Sequence, residues 1–266
     1  MMDKEYKRKV FKPLADKFET EDIKEYFLDM CEEIPDYIFT MPSSTSGKYH
    51  NAKQCERFGQ LYHIFMFASI LEHLLRLEHV KNNIADDTGS SPNDDVGAYT
   101  RDLIRCVPVF HDAVKCGWNG SQYTVQNHPV LAYEWVLNTK VANDIEEVDK
   151  KLIADMCAAH SGEWNKNRKG EEIMPKPRRY IEELIHECDI LASRPDLDYI
   201  IPNELKETLK LDKGEDLPNI NDYIVNFGKH KGMTLPEIFE EDPGWIEWAK
   251  REINRDPVKT LLKQLG

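Results

Sequence analysis

A short stretch in the middle of the chain, VPVFHDAVKCGW at residues 107–118, carries three side chains that could do chemistry. His111 and Asp112 are adjacent, and Lys115 follows one helical turn later. Imidazole and carboxylate groups bind metal ions or carry protons, and an amine can contact a phosphate. A His-Asp dipeptide arises by chance in many chains of this size, so its meaning depends on whether the fold brings further ligands to it.

Apolar residues recur at three- and four-residue spacing through most of residues 20–200. This spacing predicts helices at 22–33, 61–80, 99–116, 129–138, 145–160 and 178–193, with DDTGSSPNDD at 86–95 as a polar loop. Further imidazole and carboxylate groups fall at the ends of these helices or at the edge of an apolar stripe: His63 in a first turn, His128, His160 and Asp189. An ionised carboxylate beside an apolar stripe is costly unless it is paired or binds a cation. Five helices would then direct such groups to one interior, although each residue alone has a plainer interpretation as a helix-end histidine or a solvated aspartate.

The composition is that of a globular protein with one main hydrophobic core. A chain of 266 residues with 41% hydrophobic residues can bury one sizeable core and hold a small appendage. Its formal charge of −13 argues against broad adhesion to nucleic acid or anionic membrane, but a metal or a local basic cluster can still attract an anionic substrate. There is no apolar run of about 18 residues and no secretory segment, so we expect a cytoplasmic protein with no membrane partner. The six cysteines are far apart and predict reduced thiols; the oligomeric state is left open.

The chain divides by pattern into a main domain at 1–200, a charged linker punctuated by Pro and Gly at 201–220, and a closing piece at 221–266. The predicted fold class is mainly α, with a small C-terminal α or α+β module. Between His160 and Asp189 runs WNKNRKGEEIMPKPRR, which reverses the sign of the overall charge. Because this loop joins two ligand-bearing helices, we expect its cations to hold substrate phosphates; the alternative is a solvated run of charges.

The order His63, His111-Asp112 and Asp189 resembles the H…HD…D signature of the HD superfamily of metal-dependent phosphohydrolases. HDAVK is similar to the family's HD-x-x-K, NHPVLAYEWV and AAHSGEWN to its additional His segments, and CDILASR to the stretch around the last Asp. The lead-in PSSTSGKYHNAKQCERFGQLYH most resembles HD-type 3′→5′ exonucleases, although FGQL stands where those proteins have GGL. The resemblance covers residues 40–200.

The resemblance implies an HD-domain helical bundle that holds one or two divalent ions, Mn, Fe, Ni, Co or Zn, with Mg possible. The implied metal ligands are His63, His111, Asp112, His128, His160 and Asp189, with His50 as a competitor of His63. Asp112 and Lys115 would be catalytic, with a solvated surface lysine as the equal alternative for Lys115. The substrate would be bound by Lys48, His50, Lys176, Arg178, Arg179 and Arg194. The expected function is cleavage of phosphodiester bonds in a nucleic acid or oligonucleotide by a metal-activated water. The alternatives are a nucleotide or cyclic-nucleotide phosphohydrolase, a di-iron oxygenase, and a non-catalytic HD module.

The closing piece carries a second resemblance. FGKHKGMTLPEI and EEDPGWIEWA are similar to the small C-terminal module of exodeoxyribonuclease X and similar nucleases. The pattern predicts a miniature core of Phe227, Leu235, Ile238, Trp245, Ile246 and Trp248. It also predicts that Lys229, His230 and Lys231 are exposed on a glycine-flanked turn that contacts a phosphate backbone.

Overall fold

The chain is mainly α-helical, as the apolar periodicity predicts. The structure is a computed structural model that describes residues 2–44, 50–121, 123–167, 169–197, 202–209, 220–221, 223–225, 227–253 and 258–263. It divides into two compact units, Met1–Ile201 and Pro202–Gly266. Within the described ranges, β pairing is limited to two isolated bridges, Lys166 with Glu172 and Ile224 with Thr234.

The first unit is built from eight described α-helices: α1 (Lys4–Ala15), α2 (Glu21–Glu32), α3 (Gly59–Leu75), α4 (Glu78–Thr88), α5 (Asp95–Phe110), α6 (His128–Asn138), α7 (Glu147–Ala159) and α8 (Tyr180–Ala192). Short 3-10 turns lie at Asp36–Phe39 and Ala52–Cys55. Three predicted boundaries were wrong. The helix expected at 61–80 is two helices, the loop expected at 86–95 begins only after Thr88, and the helix expected to reach residue 116 ends at Phe110.

Aromatic packing holds the last residue of α5 against α2 and α6. The ring of Phe110 stacks on Phe27 of α2, with centroids 5.7 Å apart, and meets Trp135 of α6 edge-to-face at 5.3 Å. Aromatic pairs of this kind add stability beyond the area that they bury. After this residue the backbone changes to hydrogen bonds between residues three apart, Ala113 to Phe110 and Lys115 to Asp112, and this turn holds His111 and Asp112.

A buried carboxylate joins α5 to the start of α2. Asp102 is fully buried and accepts hydrogen bonds from the backbone N–H groups of Glu19 and Thr20 and from the Thr20 hydroxyl, at 2.6 to 3.1 Å. Arg105 pairs with the same carboxylate at 2.7 Å. The first N–H groups of a helix lack intrahelical partners, so Asp102 supplies acceptors just ahead of α2 and holds that helix against α5.

The FGQL segment, where the sequence departs from GGL, has an unusual backbone. Phe58 adopts a left-handed conformation with φ 65°, which costs a residue with a Cβ atom roughly 1–2 kcal/mol. A Cβ atom on Gly59 would lie 2.2 Å from the Gln54 carbonyl oxygen, so that position requires glycine. The turn starts α3 at Gly59 and places His63 in the second turn of the helix, not in the first as expected.

The second unit contains α9 (Asn203–Leu209), α10 (Leu235–Glu241), α11 (Pro243–Glu252) and α12 (Val258–Leu262). Its core includes the predicted Leu235, Ile238, Trp245 and Ile246, and Phe227 packs against it. Two predictions for this unit were wrong. Trp248 is 45% exposed, and His230 is half-buried because its ring packs edge-to-face on Trp245 and contacts the Asp242 carboxylate.

The cysteine side chains agree with the prediction of reduced thiols. All six are free, and each except Cys55 is buried. Burial raises the pKa of the Cys188 thiol to about 12, so this side chain is a neutral core residue at physiological pH.

None of the helices in the described ranges is long and apolar enough to cross a membrane.

Candidate metal centre

Six imidazole and carboxylate side chains singled out by the sequence lie together in the unit Met1–Ile201. They are His63 of α3, His111 and Asp112 in the turn after α5, His128 at the start of α6, His160 at the end of α7 and Asp189 of α8. All are buried except His128 and Asp189, which are largely covered. The packing of five helices thus brings separate parts of the chain to one point.

The cluster has two overlapping groups of ligand atoms. In the first, His63 Nε2 lies 2.9 Å and His111 Nε2 lies 3.8 Å from the same oxygen, Asp189 Oδ1. Each of these three residues offers one ligand atom within 4.8 Å of the other two. That spacing is suitable for a single ion held by three side chains.

The second group shares His111 with the first. His111, Asp112 and His160 also offer ligand atoms within 4.8 Å of one another. His128 adjoins this group, because its Nε2 lies 3.1 Å from Asp112 Oδ1 and 3.3 Å from His160 Nε2. His111 lies in both groups, as a residue between two neighbouring ions would.

Three of the imidazoles are oriented in the same way. The Nδ1 atoms of His111, His128 and His160 donate hydrogen bonds to the carbonyl oxygens three residues earlier, at 3.1, 2.9 and 2.7 Å. A carbonyl oxygen only accepts, so Nδ1 carries the proton in each ring and the Nε2 atom of the neutral ring has a free lone pair. These lone pairs point into the cluster. This is the usual arrangement of a metal-binding histidine, whose outer nitrogen is held by a hydrogen bond.

The unsatisfied atoms of the cluster fit a cation. Among the described residues, five buried polar side-chain atoms have no hydrogen-bond partner, and two of them, His111 Nε2 and Asp112 Oδ1, face other ligand atoms of the cluster. The facing Nε2 lone pairs of His128 and His160 repel each other unless a positive charge lies between them. Imidazole and carboxylate together suit Mn, Fe, Co, Ni or Zn. The side chains therefore fit one or two divalent transition-metal ions.

The pKa shifts of four cluster residues favour metal binding, whereas Asp112 and Asp189 raise the pKa of His111 against the effect of burial. Burial and the neighbouring His111 lower the pKa of His160 to about 3, and burial lowers the pKa of His63. Burial alone would raise the pKa of Asp112, but Lys115 and His111 hold it well below its usual range. Burial likewise opposes ionisation of Asp189, whose pKa is nevertheless lowered by His63 and His111. Neutral imidazoles and ionised carboxylates are the forms that bind metal ions.

The environment of Lys115 differs from the surface position that was the alternative to a catalytic role. Its side chain is 10% exposed, and its Nζ donates to Asp112 Oδ2 at 2.7 Å and to Gln60 Oε1 at 3.2 Å. Gln60 is fully buried and donates from Nε2 to the same Asp112 oxygen at 3.0 Å. Asp112 Oδ2 is therefore held by two donors, which directs Oδ1 toward His128 and His160.

A cavity of about 320 Å³ opens onto the cluster. The predicted site residues that line it are His50, His63, Asp112, Lys115, His128, His160, Asp189 and Arg194. The remaining lining residues, which sequence reasoning missed, are Ser161, Trp164, Ile190 and Ser193. The competing His50 donates a hydrogen bond from Nδ1 to Gln54 Oε1 at 2.7 Å and lies on the cavity wall, outside both groups of ligand atoms.

The basic segment is placed differently from the prediction. Lys176, Arg178 and Arg179 do not line this cavity. Lys176 pairs with Glu163 at 3.1 Å, and Arg179 donates to the Asp87 backbone carbonyl at 3.0 Å as it caps α8. Lys48, the remaining predicted substrate contact, lies outside the described residues. Among the predicted substrate-binding residues that the structure describes, His50 and Arg194 reach the cavity.

Removal of the Lys115 charge tests the support of Asp112. We expect Lys115→Met to lower the affinity for a divalent ion by about 10- to 100-fold, because Asp112 Oδ2 loses its cationic donor. Calorimetric titration of metal-free protein with Mn²⁺ measures this effect. Lys9→Met, which removes an exposed lysine of α1, is the matched control and should bind Mn²⁺ like the wild type. Equal affinity of the Lys115→Met and wild-type proteins would show that Lys115 does not support the site.

Comparison with known proteins bears mainly on the second unit. Residues 225–254 match the family described as Exodeoxyribonuclease X-like C-terminal, which confirms the resemblance predicted for this segment. Curated tRNA uridine(34) hydroxylases of Listeria monocytogenes, from serotype 4a and serotype 4b strains, are 28% identical over 122 residues, which are 45% of this chain and 36% of each relative. The chain thus spans about a third of the length of the curated relatives that it matches. No solved structure matches. The resemblance of residues 40–200 to the HD superfamily stays a prediction.

Proposed function

We propose that the first unit is a metal-dependent phosphohydrolase that cleaves phosphodiester bonds of a nucleic acid or oligonucleotide. One observation carries the proposal. The Nε2 atoms of three oriented imidazoles and two ionised carboxylates converge on one point, and this point adjoins a cavity that Arg194 also lines. The acceptors would hold cations, and the arginine would hold an anion next to them.

A divalent ion at the cluster would polarise a phosphoryl oxygen and lower the pKa of an attacking water. Asp112 acts as a ligand in the proposal. Its Oδ2 is held by Lys115 and Gln60, whereas Oδ1 faces His128 and His160, where it would bind the ion that activates the water. Arg194 binds non-bridging oxygens of the phosphate at the cavity wall.

The nucleic-acid substrate is supported by the second unit, which carries the segment similar to the exodeoxyribonuclease X C-terminal family. A cavity of about 320 Å³ is at the small end of ligand pockets and accommodates about one nucleotide. That size also suits the second candidate, a phosphohydrolase of free or cyclic nucleotides. An oxygenase is a third outcome to test, since the curated relatives are named hydroxylases.

The first test removes ligands from the cluster. We expect His111→Ala and Asp112→Ala to lose bound metal and to reduce phosphodiester hydrolysis by more than about 100-fold, the upper end of the loss when a residue that only orients a ligand is removed. Metal analysis and turnover of single-stranded RNA, single-stranded DNA, nucleotides and cyclic nucleotides measure the result. Helical circular dichroism should be unchanged.

His79→Ala, which removes an exposed histidine of α4, is the control and should keep full metal content and activity. Full hydrolysis by Asp112→Ala would contradict the proposal. With two ions bound, Asp189→Ala and His128→Ala should each lose one ion, because they belong to different groups of ligand atoms. Turnover of nucleotides without turnover of strands would favour the second candidate, and redox-active iron that consumes oxygen would favour the third.

A comparison of two arginines decides where the substrate phosphate is held. We expect Arg194→Ala to raise KM and to reduce the salt dependence of KM by about one phosphate contact, with a smaller change in kcat. Steady-state assays at several salt concentrations measure both effects. Arg178→Ala is the matched comparison, because Arg178 is exposed but does not line the cavity. A larger change in KM for Arg178→Ala than for Arg194→Ala would show that the basic segment binds the substrate phosphate.

The role of the second unit is tested by removing it. A chain that ends at residue 201, the limit of the first unit, should hydrolyse a minimal phosphodiester like the full chain. On long single strands it should lose about 10- to 100-fold in kcat/KM, because the tethered second contact is absent. Competition assays near physiological salt measure the ratio. Equal rates of both proteins on long strands would contradict the tethering role and favour a mononucleotide substrate.

A further inference from the structure

One large aromatic side chain on the cavity wall is exposed. Trp164 lines the cavity together with the cluster residues His128 and His160, yet 65% of its surface is accessible. The exposed part of such an indole offers an apolar face on which another ring can stack. The catalytic proposal makes no use of this side chain.

Trp164 is held in place by contacts that begin at a cluster residue. Its ring meets the His186 ring edge-to-face, with centroids 5.9 Å apart and planes at 61°. His186 Nδ1 donates to the backbone carbonyl of His160 at 2.7 Å. Gly162 leaves space for the His186 ring, because a Cβ atom on residue 162 would lie 2.1 Å from that ring. The backbone φ of 54° at Gly162 also favours glycine.

The backbone on both sides of Trp164 is also fixed. The Trp164 N–H donates to the Ser161 carbonyl at 3.0 Å. The next residue, Asn165, is fully buried and donates from Nδ2 to the Met174 carbonyl at 3.1 Å, and Ile173 N–H donates to the Asn165 carbonyl at 2.9 Å. The indole is therefore exposed, but the backbone that carries it is fixed. Stacking of a ligand on the indole then costs little free energy for ordering the side chain.

We propose that Trp164 is a stacking platform for a nucleobase, so that the ligand of this cavity is a base-bearing phosphate ester and not a phosphate ester of any kind. The inference rests on the proposed function and deepens it. The cluster and Arg194 bind the phosphate, and the indole binds the base of the same nucleotide unit, since all of them line one cavity. Stacking on an aromatic face tolerates every base, so the site selects for the presence of a base more than for its identity.

The test compares ligands that differ only in the base. The substrates are the p-nitrophenyl esters of thymidine 5′-monophosphate and of 1,2-dideoxyribose 5-monophosphate, with the corresponding 3′-esters, and the protein is the full chain loaded with Mn²⁺. We expect Trp164→Ala to raise KM about 5- to 100-fold for the thymidine ester and to leave the abasic ester unchanged. Trp164→Phe should keep most of the preference. Trp118→Ala is the matched control, because Trp118 is 53% exposed and does not line the cavity.

A binding measurement separates this inference from the proposed function. The affinities of wild type and Trp164→Ala for an oligothymidylate and an abasic strand of the same length are measured by calorimetry. If the wild type hydrolyses no ester, the proposed function fails, and a loss of oligothymidylate binding in Trp164→Ala alone still supports the platform. The platform is overturned if Trp164→Ala binds or turns over base-bearing and abasic ligands in the wild-type ratio.

Discussion

One local interaction, repeated at three helix ends, gives the cluster its chemistry. At His111, His128 and His160 the ring Nδ1 donates to the carbonyl three residues earlier. Carbonyls at the C-terminus of a helix lack intrahelical partners, so the rings that end α5 and α7 satisfy them and become fixed in the same step. Because Nδ1 is committed to the backbone, only Nε2 remains for the interior. The direction and tautomer of three possible ligands thus follow from where the helices end.

The cluster contains more negative than positive charge. Asp112 and Asp189 bring two ionised carboxylates into a buried site, and Lys115 is the cation that contacts one of them. Burial lowers the pKa of His111, but Asp112 and Asp189 outweigh this effect and raise it above the ordinary value. The cluster therefore attracts positive charge, and His111 Nε2 is one of its buried atoms without a hydrogen-bond partner. A divalent ion supplies that charge without requiring a buried imidazolium.

The sequence predicted the mainly helical fold and named the residues that the structure brings together, because apolar periodicity and motif order are local signals. It misplaced features that depend on distant packing. Phe110, which lies inside the helix expected at 99–116, is instead the last residue of α5, and its ring packs on the distant Phe27 and Trp135. Lys115 appeared equally suited to the surface, since its partner Gln60 is far away in sequence. Trp248 was assigned to the small core by helical spacing, but Trp245 and Ile246 fill it.

The departure from GGL shows how a local sequence difference can bear on the site. Phe58 adopts a left-handed backbone, and Gly59 fits against the Gln54 carbonyl. The next residue is Gln60, and its amide reaches both Asp112 Oδ2 and Lys115 Nζ. A glycine there would leave Asp112 with Lys115 as its only side-chain donor on Oδ2 among the described contacts. The segment that departs from the family signature therefore contributes a donor, Gln60, that holds the proposed catalytic carboxylate in place.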